Sequence, residues 1–127
     1  MKVSVPSSLE IGGATYAIRV EDELELLRNN HVGETRHLEL EIVLSTEGAP
    51  DRRSHTFLHE CLHAIDEEYC DSKAMTEDGT DAVASGLLQV LKQLGIELVL
   101  EDTHAVPRGR KERGTSCQRK VERQAAV

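Results

Sequence analysis

The sequence predicts an α+β fold: a small, mostly antiparallel sheet of three to four strands packed on two helices. Three observations predict it. Segments with apolar residues at every second position come first, and segments with a helical period follow them. Gly and Pro punctuate the boundaries, at Gly12-Gly13, Gly48, Pro50 and Gly95. The chain has 127 residues, enough for one core and too few for two.

The elements follow in order. SLEIGGATYAIRV reads as two short strands around a Gly12-Gly13 turn, with Tyr16, Ile18 and Val20 on one face of the second. Residues 21–36 fit either a strand or a helical segment before the turn chemistry of Asn29-Asn30 and Gly33. HLELEIVLS then alternates, placing Leu38, Leu40, Ile42 and Leu44 on a buried face and His37, Glu39, Glu41 and Val43 on the other. A helix is expected from an N-cap at Asp51 or Ser54 to about Tyr69. A second starts near Thr76, with Glu77 and Asp78 in its first turn and Gly95 past its end. Its apolar stripe is Val83, Leu87, Val90 or Leu91, and Leu94. IELVLE reads as one more short strand.

Composition narrows the function. Hydrophobic residues make up 39% and charged residues 30%, a globular profile without a membrane-spanning run. Tyr16, Phe57 and Tyr69 are the only aromatics, so Leu, Ile, Val and Ala must build the core. The net charge of −8 divides unevenly: residues 1–106 carry −13 and residues 107–127 carry +5. The acidic body argues against a general nucleic-acid binder. The basic tail lacks apolar periodicity and reads as disordered. It is either a solvated tail or a handle for nucleic acid or an acidic partner. Three cysteines at irregular spacing and the absence of an apolar signal segment in MKVSVPSSLE fit a reducing cytoplasm.

The chemistry concentrates in His59-Glu60-Cys61-Leu62-His63, an H-E-x-x-H pattern. Histidines at i and i+4 project from one helix face and can reach one zinc ion. Glu60 stands about 100° round the helix, beside the ion, where it can take a proton from a water. The bland alternative is a charged helix carrying two surface histidines. The apolar flanks Phe57, Leu58, Leu62 and Ile65 argue against it, because a half-buried helix needs partners for such groups. In TEDGTDAVASGL, Glu77 and Asp81 share a helix face. Glu77 is the candidate third ligand, and Asp81 is placed to hydrogen-bond the far nitrogen of a ligand histidine. Asp81 as the ligand is the alternative; helix-start carboxylates with no metal are the simpler one. The metzincin pattern fails, since it needs Gly and His where Asp66 and Tyr69 stand. Cys70 reads as a structural thiol. His55 could flank a substrate and Tyr69 could donate to an oxyanion; surface and packing roles are their ordinary alternatives. His31 and His37 read as structural or exposed.

TFLHECLHAIDEEY followed by TEDGTDAVASGL resembles the small gluzincin-type metallopeptidases. It is most similar to the compact phage- and prophage-type HExxH proteins related to the ImmA/IrrE group. The resemblance is specific over residues 56–88, extends over 9–95, and does not include the tail. It implies a compact zincin-like domain at residues 1–106, with zinc held by His59, His63 and Glu77, and Glu60 as general base. It puts Asp81 at the family's Asn/Asp position. The expected activity is zinc-dependent hydrolysis of a peptide or protein substrate, with the strand at 37–44 offered as a substrate edge. The chain departs from the family by lacking a helix-turn-helix module and an evident oxyanion donor after Glu77, His104 apart. The rival is a catalytically inactive zinc-binding protein that engages a phage or host partner.

Overall fold

The computed structural model describes residues 1–21, 33–46 and 48–100. Segment 22–32 with His31, His104, Cys117 and the basic tail lie outside them. The described elements are β1 (Lys2–Ser4), β2 (Ser8–Ile11), β3 (Ala14–Glu21), β4 (Gly33–Arg36), β5 (Glu41–Ser45), α1 (Pro50–Cys70), α2 (Glu77–Gln93) and β6 (Glu97–Val99). This is a small α+β domain with two helices and a mixed sheet.

Strands β2-β3-β5-β4 form a four-stranded sheet in that order. The β2–β3 hairpin and the β4–β5 pair are antiparallel, while β3 and β5 run parallel. Gly12 and Gly13 turn the hairpin with φ of 60° and 88°, values that suit glycine. A second, two-stranded sheet pairs β1 with β6 in parallel. Sequence reading found β6 and missed β1, whose three residues are all exposed.

One face of the larger sheet packs on α1. Tyr16, Ile18, Ile42 and Leu44 meet Phe57, Ala64 and Val5 in the core. Tyr16 is fully buried and donates its hydroxyl to Glu68 Oε2 at 2.7 Å, which satisfies the one polar atom of a core ring.

The alternation expected over residues 37–44 is corrected. Residues 37–40 form a turn, with Leu40 at φ 56°, and the strand begins at Glu41. All five residues of β5 are buried, not one face of them. Glu41 stays inside because Arg19 pairs with Oε2 and Arg36 lies 3.4 Å from Oε1. A buried carboxylate with two guanidinium partners avoids the cost of an unpaired charge. Burial pushes the Arg36 guanidinium down, but Glu34, Glu21 and Glu41 outweigh it and hold it above its ordinary value. Nor is β5 an edge: β3 and β4 flank it.

Helix α1 starts at Pro50 with Ala49 as N-cap, earlier than Asp51 or Ser54. Proline suits the first helical position, where its missing N–H costs nothing. Helix α2 starts as expected, with Thr76 Oγ1 accepting the Gly79 N–H at 2.9 Å. Its direction of facing is a correction. Val83, Leu87, Val90 and Leu94 are exposed, Leu91 is half-buried, and only Thr80 and Ala84 are fully buried. The two helices run antiparallel, pairing Asp51 at the start of α1 with Lys92 near the end of α2, and His59 midway along α1 with Glu77 at the start of α2. Among the described residues no helix is long and apolar enough to cross a membrane.

Candidate metal centre

His59 and His63 lie one turn apart on α1, and Glu77 is the first residue of α2. The antiparallel crossing brings the three side chains together. His59 Nε2 is 2.7 Å from Glu77 Oε1 and 3.0 Å from His63 Nε2; His63 Nε2 is 3.3 Å from Glu77 Oε2. Among the described residues this is the one group of three or more His, Cys, Asp or Glu side chains that could hold a metal ion. Four ligands at 2.0–2.1 Å around zinc form a tetrahedron with an edge of about 3.3 Å. The observed separations are at or a little under that size.

Asp81, one turn further along α2, places Oδ1 3.3 Å from Nδ1 of His59. A proton on Nδ1 shared with that carboxylate leaves Nε2 with a lone pair facing Glu77 and His63. Three lone-pair donors then converge, an arrangement that repels itself unless a cation or a proton sits among them. The donor set, two imidazoles and a carboxylate, suits zinc. The group is reachable from solvent at Glu77. The His59 side chain is 12% exposed and that of Glu77 is 72% exposed. Burial pushes the Glu77 carboxyl up, yet the His59 hydrogen bond and the charges of His63 and His59 outweigh it and hold it below its ordinary value.

Glu60 projects from α1 towards β4 and is 7% exposed. The Thr35 hydroxyl stands 2.6 Å from Glu60 Oε1 and 2.9 Å from the Glu60 main-chain oxygen, bonding β4 to the helix. Gly33 permits this approach: a Cβ there would lie 2.5 Å from Thr56 Cγ2 and 3.2 Å from Glu60 Cγ.

The remaining candidates divide. His55 Nε2 lies 3.4 Å from both Oδ1 and the main-chain oxygen of Asp81, so it borders the centre through Asp81. Tyr69 is 70% exposed, and its ring neighbours Gly12 at the hairpin turn, away from the three converging groups. Sequence reading missed Thr35, which lay in a stretch of undecided structure. It also missed Asp66, which looked like part of the charged run Asp66-Glu67-Glu68 and is buried.

No family model, no curated protein and no solved structure matches the chain.

Proposed function

We propose that the protein is a zinc-dependent metallopeptidase, with His59, His63 and Glu77 as ligands and Glu60 as general base. One observation carries the reading: two imidazole nitrogens 3.0 Å apart, each 2.7–3.3 Å from one oxygen of the Glu77 carboxylate, are delivered by two helices, with Asp81 behind His59. Zinc, when bound, supplies Lewis acidity towards a carbonyl and lowers the pKa of a water. Asp81 holds the proton on His59 Nδ1 and keeps Nε2 available as a donor. Thr35 bonds Oε1 of Glu60; as general base, the Glu60 carboxylate would take the proton of the attacking water and pass it to the leaving amine. The protein partner on this reading is an extended peptide substrate. Strand β4 supports it as the edge it would pair with, since β4 has β5 as its one neighbour among the described residues and touches Glu60. This replaces the 37–44 strand in that role.

The test is metal content followed by hydrolysis. The wild-type chain is expected to hold one zinc, and His59→Ala none. Glu60→Gln is expected to keep the zinc and lose cleavage of a peptide library. Zinc lost together with activity in Glu60→Gln makes Glu60 structural and overturns its role as base.

A second reading, a zinc-binding interaction protein with no catalysis, is favoured by the burial of Glu60 and its bond to Thr35. On that reading no peptide is cut, and Glu60→Gln leaves the biological effect intact.

A further inference from the structure

Asp66 lies on α1, three residues past His63, and is 6% exposed. Its carboxylate accepts two main-chain N–H groups of the connection between the helices, Ala74 at 3.0 Å on Oδ1 and Met75 at 3.2 Å on Oδ2. Its main-chain oxygen accepts two more, from Asp71 and from Ser72 at 3.0 Å. One residue thus gathers four amides of a six-residue turn, 71–76. The last of them is Met75, two residues before Glu77.

This clasp matters because apolar packing fixes α2 only weakly. Of its 17 residues only Thr80 and Ala84 are fully buried; Leu88 and Leu91 are half-buried, and Val83, Leu87 and Val90 are exposed. A helix with no large side chain fully buried has little close packing to oppose a shift of about an ångström. A metal site loses affinity with displacements of that size. The path of the turn therefore decides where the first residue of α2 arrives.

We infer that Asp66 is a positioning residue for the metal centre: its carboxylate holds the 74–75 backbone so that Glu77 meets His59 and His63. The inference rests on the zinc reading above, with Glu77 as a ligand. It differs from an ordinary structural role in acting through Glu77.

The test is a double-mutant cycle in Zn²⁺ affinity, measured on the full chain by competition with a chelating dye. The four proteins are wild type, Asp66→Asn, Glu77→Ala and the double variant, each checked for folding by circular dichroism. Asparagine keeps the shape but turns an N–H₂ towards one amide donor. Asp66→Asn is expected to weaken Zn²⁺ binding by about ten- to a hundredfold, the range for outer partners of metal ligands. In the Glu77→Ala background the same change is expected to have no further effect. Equal weakening in both backgrounds, or none in the wild type, overturns the inference. A Glu77→Ala protein that binds Zn²⁺ as tightly as wild type overturns the ligand assignment and the inference with it. Should Asp66→Asn fail to fold, Asp66→Glu keeps both oxygens and carries the same cycle.

Discussion

The carboxylate of Asp81 stands 3.3 Å from Nδ1 of His59, while Nε2 of the same ring stands 2.7 Å from Glu77. The imidazole is thus held between two acids one turn apart on α2, one at each nitrogen. If zinc occupies the Nε2 side, the Nδ1 side decides which tautomer is offered to it. Asp81→Ala is expected to weaken Zn²⁺ binding by about ten- to a hundredfold. Asp81→Asn, which keeps an acceptor oxygen, is expected to retain most of it. Chelator competition measures both; an alanine variant with wild-type affinity would show that Asp81 does not orient the ring.

Gly33 sits where β4 crosses α1, and a methyl group there would lie 2.5 Å from Thr56 Cγ2. Thr56 is buried and β-branched, so it has little room to give. Gly33→Ala is expected to cost about 1–3 kcal/mol of stability, the usual range for overpacking. Urea unfolding reads the value, and an unchanged midpoint would mean that β4 moves freely away from the helix.

Cys61 shares the motif but is set apart from chemistry. Burial, with the neighbouring Glu60 charge adding to it, pushes its thiol up to about 12. Its thiolate is therefore scarce at pH 8. Alkylation at that pH is expected to label exposed Cys70 and spare Cys61, as followed by mass mapping of the two peptides. Equal labelling rates would contradict the raised thiol of half-buried Cys61.

The lowered Glu77 carboxyl implies a direction of pH dependence in the metal-free protein. A folded value below the ordinary 4.5 means that the folded state favours the ionised form. That stabilisation is complete above about pH 4.5 and disappears as pH falls through the lowered folded value. The side chain is 72% exposed, so solvent keeps the effect small. Urea midpoints measured from pH 6 to 3 with a chelator are expected to fall less steeply for Glu77→Gln than for wild type. Parallel curves would remove Glu77 from the acid dependence.

Each half of the candidate site was legible before folding was considered, because the spacing within one helix is local; that the two halves meet was not, because it depends on how the helices cross. Four-residue spacing on a helix puts His59 beside His63 and Glu77 beside Asp81 whatever surrounds them. Thr35 and Asp66 were not legible. Each acts on a residue brought near by the chain's path, and neither carries a pattern of its own.

What the sequence by itself determined were the short-range features: the two helices, the Gly12-Gly13 hairpin, the final strand and the four-residue spacings His59–His63 and Glu77–Asp81. Only the tertiary structure decided which faces are inside. The stripe at Val83, Leu87, Val90 and Leu94 has a clean helical period, yet α2 turns Thr80 and Ala84 inward. Glu41 looks like a solvent residue in an alternating strand, yet Arg19 and Arg36 hold it in the interior. The physical reason is the same in both cases. Periodicity follows from backbone geometry within a few residues, whereas burial depends on partners that lie far along the chain.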